Sequence, residues 1–135
     1  MKPVKLFEEF LNESQKESAA IQKVEALPKG SIFDDAKRID SIFQISNRPW
    51  SEVVQAWEEN QKQAKPKTVN PKDIQITQRN IQSSKVQEMI LRKGPLKTIN
   101  VIEYPEGMVI PDGHHRLTTA WALGITKLKV NLLKV

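Results

Sequence analysis

The sequence predicts an α+β fold, in which a small mixed sheet with helices follows a helical N-terminal extension. Two observations favour this fold class. Apolar residues in the first half recur at spacings of three and four, as on one face of a helix. In the second half, short runs rich in β-branched residues alternate with helical patterns and with turns that contain Gly or Pro. With 135 residues, the chain is long enough for one hydrophobic core of ordinary size.

The first half is predicted to form three helices. The first has an apolar face formed by Leu6, Phe7, Phe10 and Leu11. The second runs from Ile32 to Ile45, and the third is capped by Ser51 and ends near Ala64. The buried face of the third helix holds Val53, Val54 and Trp57. Lys65-Pro66-Lys67 is typical of a short, stiff connector, so the predicted domains are residues 1–67 and 68–135.

The second half is predicted to contain four extended segments and two helices. They are, in order, an extended segment from Asp73 to Thr77, a helix from Ser83 or Ser84 to Gly94-Pro95, strands from Thr98 to Tyr104 and from Met108 to Ile110, a helix to Leu123, and a strand from Lys127 to Leu133. Ser84 and Gln87 have the spacing of a capping box. In the last strand, alternate residues form one buried face: Leu128, Val130 and Leu132.

The composition excludes several classes of function. The chain has no cysteine, which excludes disulfides, thiolate catalysis and cysteine-ligated zinc. No run approaches the roughly 20 apolar residues of a membrane span, and charged residues interrupt the N-terminal apolar pattern, unlike a secretory signal. We therefore expect a cytoplasmic protein with no membrane partner.

The net charge of +5 lies entirely in the second half of the chain. Residues 1–67 carry eleven basic and eleven acidic residues, whereas residues 68–135 carry ten basic and five acidic ones. A basic domain favours an anionic partner, such as a nucleotide, a nucleic acid or another phosphate. The alternative is an ordinary solvated basic surface.

The segment MVIPDGHHRLTTAWALG, residues 108–124, has the pattern of a strand, a Gly-containing turn and a helix. A helix start offers unpaired backbone N–H groups and the positive end of the helix dipole. Gly113 lets the backbone approach a ligand, and Arg116 supplies a planar set of donors suited to phosphate. His114 and His115 can donate hydrogen bonds as well. Together these residues predict an anion site, and the alternative is a simple turn with surface side chains.

A transition-metal site is disfavoured because adjacent residues on a helix point about 100° apart and the chain has no third histidine. Magnesium suits the turn better, since this ion prefers oxygen ligands. We expect Mg²⁺ to bridge Asp112 and a bound phosphate. The candidate catalytic residues are Asp112, Glu103 and His114, of which the two carboxylates are the candidates for a general base.

The segment DGHHRLTTAWALG resembles the signature turn of the ParB/sulfiredoxin superfamily. Gly113 and Arg116 match the Gly-Glu-Arg-Arg turn of partition proteins, the Gly-Cys-His-Arg turn of sulfiredoxin and the DGHHR turn of ADP-dependent free serine kinases. His115 matches the last two. Upstream, Asn70-Pro71 and Gln78-Arg79 resemble the partition-protein segment that leads into the first helix.

This resemblance implies a turn that binds nucleotide phosphates, usually with magnesium. The implied contacts are Gly113, His114, His115 and Arg116, with Gln78 or Arg79 nearby. His114 replaces the cysteine of sulfiredoxin, which excludes sulfinic-acid chemistry, and it also replaces the glutamate of the partition proteins. The DNA-binding and dimerisation domains of partition proteins do not follow the closing strand, so we do not expect a DNA clamp of that type.

The N-terminal segment KLFEEFLNES resembles the leader segments of head-packaged proteins in some large tailed phages. A Leu-x-Glu step is cut there by a protease, and Leu11-Asn12-Glu13 has that form. The favoured alternative is a plain amphipathic helix that docks on the body. The protein partner of the N-terminal helices is unknown. Trp50 and Trp57 are candidates for base stacking or, more commonly at this spacing, for helix packing.

Three functions remain open from the sequence. The favoured one is nucleotide-dependent phosphoryl transfer or NTP hydrolysis at the turn. The second is a DNA-binding protein or small nuclease, with a basic path formed by Lys85, Arg92, Lys93, Lys97, Lys127 and Lys129. The third is a non-catalytic structural or interaction protein of phage origin, associated with the virion.

Overall fold

The computed structural model describes residues 2–31, 34–92 and 94–135, with side chains from residue 14 onward in those ranges. Its helices are α1 (Lys2–Glu25), α2 (Trp50–Asn60), α3 (Ser83–Leu91) and α4 (His114–Ala122), with 3₁₀ turns at Gln61–Gln63 and Pro71–Asp73. Its strands are β1 (Ala36–Arg38), β2 (Lys65–Val69), β3 (Ile74–Gln75), β4 (Asn80–Gln82), β5 (Ile99–Tyr104), β6 (Gly107–Val109) and β7 (Leu128–Lys134). The predicted α+β class is confirmed.

The main sheet has five strands in the order β2-β7-β5-β6-β3. β5 pairs in parallel with β7, and β3 in parallel with β6, whereas the β2–β7 and β5–β6 pairs are antiparallel. The sheet is therefore mixed, as predicted. A separate two-stranded sheet joins β1 to β4.

Helices cover both faces of the main sheet. Ile99 and Val101 of β5 belong to a core cluster that includes side chains of α1, α3 and α4. Ile102 and Tyr104 of the same strand pack in a second cluster with Val53 of α2. Since successive residues of a strand point to opposite faces, α2 lies on one side of the sheet and the other three helices on the other.

The helix predicted from Ile32 to Ile45 is wrong. Within the described residues of this range, Ala36–Arg38 forms β1 and the chain then turns, with the backbone N–H groups of Ile42 and Phe43 donating to the carbonyl of Ile39. Ile39 and Phe43 are buried as the pattern implied. A single turn buries residues at the same spacing as a helix does, so the apolar pattern does not distinguish the two. β1 forms because β4, more than 40 residues away, pairs with it.

The connector predicted at Lys65-Pro66-Lys67 is instead the first part of β2, which pairs with β7. Its residues are exposed and it lies at the edge of the sheet, where Pro and Lys are tolerated. The domain boundary predicted after residue 67 falls inside this strand and stays a prediction. The predicted apolar face at residues 6–11 lies outside the described side chains.

Two predicted helix caps are also wrong. α2 begins at Trp50 after Pro49, so Ser51 is not its cap. At α3, Ser84 makes no capping box with Gln87, and its backbone N–H and hydroxyl both donate to the carboxylate of Asp35. These hydrogen bonds lower the pKa of Asp35. A residue from the β1 segment therefore caps α3, which sequence spacing within the helix does not reveal.

The helices in the described part of the chain include none that is both long and apolar enough to span a membrane.

Candidate functional site

The turn between β6 and α4 is formed by Pro111, Asp112 and Gly113. Gly113 has a φ of 91°, a left-handed conformation that residues with a Cβ rarely adopt. Its N–H donates to Asp112 Oδ1 at 2.8 Å. A Cβ on Gly113 would lie 3.4 Å from Ile99 Cγ2, so the turn lies directly over the start of β5. Glycine is therefore required by the backbone conformation of the turn.

The start of α4 offers free backbone donors. Among the described residues, no acceptor pairs with the N–H groups of His114, His115 or Arg116, and the first helical hydrogen bond runs from Leu117 to the carbonyl of Gly113. Unpaired N–H groups and the helix dipole together attract an anion. The predicted anion site thus has the backbone geometry that it requires.

Arg116 is half-buried and makes no ion pair with any residue that the structure describes. It borders a pocket of about 150 Å³ together with Arg92 and Lys97. The other residues of the pocket wall are Met89, Gly94, Pro95 and Leu96. Among the described residues no acidic side chain lines this pocket, although Arg92 pairs with Glu88 of α3 at 3.4 Å, so Arg116 and Lys97 are the cations that favour a negatively charged ligand.

His114 is only 2% exposed, and its ring holds a neighbouring segment of the chain. Its Nε2 accepts hydrogen bonds from the backbone N–H groups of Thr77 at 3.0 Å and Gln78 at 3.2 Å. An Nε2 that accepts these bonds places the proton of the neutral ring on Nδ1. Burial lowers the pKa of His114 to about 4, so the ring is neutral at physiological pH.

His115 has a similar role on the next segment. Its Nε2 accepts from the backbone N–H of Gln82 at 3.0 Å. Burial lowers the pKa of His115, and the nearby charge of Lys85 lowers it further. Both rings therefore bind the backbone of residues 77–82 to the start of α4.

This geometry differs from the expectation that both histidines donate hydrogen bonds to a phosphate. Each Nε2 is engaged by a backbone donor, and the ring of His114 is only 2% exposed, so its burial rather than its lack of a donor argues against direct contact with a ligand. Of the three residues whose backbone donates to the two rings, Thr77 and Gln82 were not identified from the sequence, whereas Gln78 was predicted only as a ligand contact. Their backbone N–H groups carry no residue-type signal, and only the fold brings them to the helix start.

Gln78 and Arg79 lie next to the turn but are directed elsewhere. Both are exposed, and the side-chain amide of Gln78 donates to the carbonyl of Asn80 at 2.9 Å. Arg79 lines a different pocket, with Lys29 and Arg38.

The structure does not bring the two candidate carboxylates together. Asp112 is exposed at the turn, whereas Glu103 lies four residues beyond Ile99 along β5. Four strand residues span about 13 Å, since each advances the chain by roughly 3.3 Å. Glu103 borders a pocket together with Lys67 of β2 and Lys134 of β7. Asp112 is therefore the carboxylate that can act at the turn.

The predicted basic path is only partly continuous. Arg92 and Lys97 adjoin Arg116, and Lys85 on α3 lies close enough to His115 to affect its pKa. Lys129 points to the sheet face opposite α4, because its neighbours Leu128 and Val130 face the α4 side. Lys127 is exposed just before β7, and Lys93 lies outside the described residues.

Asp112 is suited to a Mg²⁺ ion that takes most of its ligands from a bound phosphate and from water. One carboxylate oxygen accepts from Gly113, which leaves the other for an ion. The described side chains contain no group of three or more His, Asp or Glu residues placed to hold a metal. A single carboxylate together with phosphate oxygens and water is the usual arrangement for Mg²⁺ at phosphate sites.

A solved structure of sulfiredoxin from Arabidopsis thaliana is similar to this chain, with a TM-score of 0.44 and 24% sequence identity. The match covers 53% of this chain and 86% of the sulfiredoxin chain. No family model matches the sequence, and no curated protein matches it. The family membership inferred from the DGHHR turn stays a prediction.

Proposed function

We propose that this protein binds the phosphate groups of a nucleotide at the start of α4. The observation that carries the proposal is the set of unpaired N–H groups that follows Gly113, beside an Arg116 that has no acidic partner in the described chain. Backbone donors suit phosphate oxygens because they are already fixed in direction by the helix. The guanidinium of Arg116 adds a charged, planar set of donors.

The proposed contacts are the backbone N–H groups of His114, His115 and Arg116 and the side chain of Arg116. Arg92 and Lys97 contribute positive potential from the adjoining pocket. The histidine rings support the site indirectly, since they fix the segment of residues 77–82 against the helix start.

The reaction that this site best suits is phosphoryl transfer or NTP hydrolysis. Magnesium between Asp112 and the phosphates would offset negative charge when bound. Arg116 stabilises the charge that develops on the transferred group. Asp112 is also the candidate general base in a reaction without the ion, because only one of its carboxylate oxygens is free of the hydrogen bond from Gly113 and that oxygen takes either the ion or a proton.

Binding of a DNA backbone phosphate is the second candidate, in a DNA-binding protein or a small nuclease. The observation that favours it is the placement of Arg92 and Lys97 beside Arg116, which extends the positive surface beyond one phosphate. Such binding would weaken steeply with salt, because each neutralised phosphate releases counterions. A non-catalytic role in a phage particle is the third proposal and predicts no response to either ligand.

A thermal-shift panel tests these alternatives directly. The protein is heated with Mg²⁺ and ATP, ADP, CTP, GTP or a short DNA, beside Arg116→Ala and the control Arg79→Ala, whose side chain lines a different pocket. A ligand at 100 times its Kd adds about 2.7 kcal/mol of stability, which raises the Tm by several degrees at this size. We expect a nucleotide shift that Arg116→Ala abolishes and Arg79→Ala retains. A shift with DNA alone supports the second candidate, and no shift with any ligand contradicts both.

A further inference from the structure

Trp50 is a large apolar side chain that the fold leaves in solvent. Its exposed fraction is 56%, although it is the first residue of α2, whose inner face packs on the sheet. Trp57, about two turns later, packs against the second core cluster with Val53. The sequence predicts the same two alternatives for both tryptophans. In the structure Trp57 is a packing residue and Trp50 is not.

A hydrogen bond fixes the Trp50 ring beside the phosphate turn. Its Nε1–H donates to the carbonyl oxygen of Pro111 at 2.9 Å. Pro111 is buried and directly precedes Asp112 and Gly113. Because the indole has a single donor and this bond uses it, the exposed part of the ring has no further polar requirement. What remains accessible is aromatic surface.

The carbonyl group that holds the Trp50 ring lies close along the chain to the start of α4. Pro111 and His114 are three positions apart in the chain, so their Cα atoms are at most about 11 Å apart even in an extended chain. The intervening turn at Gly113 shortens this separation. A nucleotide, which places a sugar between its base and its phosphates, can bridge such a distance.

We infer that the exposed ring of Trp50 is the stacking surface for the base of a nucleotide whose phosphates occupy the start of α4. This inference rests on the proposed function and adds to it the place of the base. An aromatic surface held rigidly next to an anion site matches the two parts of a nucleotide. Stacking on such a ring tolerates any base, so it supplies affinity without specifying the base.

Fluorescence of Trp50 tests the inference without altering the ring. The chain has three tryptophans, so Trp57→Phe combined with Trp121→Phe leaves Trp50 as the only tryptophan, which is excited selectively over Tyr104 at long wavelength. This variant is titrated with Mg²⁺ and ATP, CTP or GTP, and separately with Mg²⁺ and tripolyphosphate, which has the phosphates but no base. We expect a nucleotide to quench the emission and tripolyphosphate to leave it unchanged while displacing the nucleotide.

Calorimetry on variants of Trp50 gives an independent measurement. Trp50→Leu should weaken nucleotide binding roughly 5- to 150-fold, the range that base stacking contributes, and leave tripolyphosphate affinity within twofold. Trp50→Phe keeps a ring without the Nε1 donor and should lose less. If nucleotides bind with no quenching and Trp50→Leu binds them normally, the stacking inference is wrong and the phosphate site stands. If neither nucleotides nor tripolyphosphate bind, both proposals are wrong.

Discussion

The buried ring of His114 makes stability depend on pH. Its pKa of about 4 in the fold is below the ordinary value of 6.5, so the folded state favours the neutral ring. The contribution of this pKa difference to the free energy of unfolding is complete above pH 6.5 and is lost as the pH falls from 6.5 towards 4. It amounts to about 3 kcal/mol, since each unit of pKa difference corresponds to 1.36 kcal/mol.

The variant His114→Gln tests this residue, because glutamine can accept a hydrogen bond but does not titrate in this range. Urea unfolding of both proteins is measured at pH 7, 5.5 and 4. We expect the natural protein to lose about 3 kcal/mol more than the variant between pH 7 and pH 4. Both proteins contain the same carboxylates, so the effect of carboxylate titration on stability cancels in the difference between them. An equal loss in both proteins would show that the ring is not held neutral by the fold.

Gly113 should matter for binding as well as for backbone strain. Gly113→Ala should cost about 1 to 2 kcal/mol, because a left-handed conformation is unfavourable for a residue with a Cβ. Gly124→Ala is a matched control, since Gly124 has a φ of 73° and no atom within 4 Å of an added Cβ. We expect similar losses in urea unfolding and a loss of phosphate affinity for Gly113→Ala alone. Full affinity in Gly113→Ala would place the ligand away from the turn.

At the scale of elements, substitutions in α2 test how this helix packs on the second face of the sheet. Val53 is fully buried against this face, whereas its neighbour Val54 is half-buried. Val53→Ala should therefore destabilise the fold by about 2 kcal/mol, the value of two buried methyl groups. Val54→Ala should cost less than half as much. Urea unfolding of the two variants measures the difference, and equal costs would mean that α2 packs in another orientation.

The elements that the sequence predicted best are those whose pattern is local. The strands β5 and β7 and the helices α3 and α4 have regular apolar spacing and were placed within a few residues. β2 was missed because an edge strand needs no buried side chains and tolerates Pro66. The segment from residue 34 to 45 was misassigned because its apolar spacing fits a turn as well as a helix.

At the scale of the whole molecule, the candidate site shows what sequence reasoning can and cannot reach. The Gly113 turn, the helix start and Arg116 are consecutive in the chain, so the sequence placed the turn and the start of α4 correctly, and the binding of an anion there stays a prediction. The partners of the histidine rings, the carbonyl that fixes Trp50 and the separation of Glu103 from Asp112 all depend on contacts between distant segments. Residue type and spacing carry no information about such contacts.

The two halves of the chain form one core in this structure. Ala20, Val24 and Leu27 of the N-terminal segment share a buried cluster with Ile99 and Val130 of the sheet. On the other face, Val53 covers Ile102 and Leu133. A fragment of residues 68–135 would expose both sets of sheet side chains to water and would lose most of the β2 pairing with β7.

We therefore expect the fragment 68–135 to lack a cooperative unfolding transition, whereas the full chain unfolds in one step. Exposed apolar area costs about 25 cal/mol per Å², and a domain of this size has only 5 to 15 kcal/mol of net stability to lose. Near-ultraviolet circular dichroism and urea unfolding of the two proteins provide the measurement. A cooperative transition in the fragment would establish residues 68–135 as an independent domain. It would also mean that α1 and α2 are added to a core that is already stable, so that variants such as Val53→Ala would affect docking more than folding.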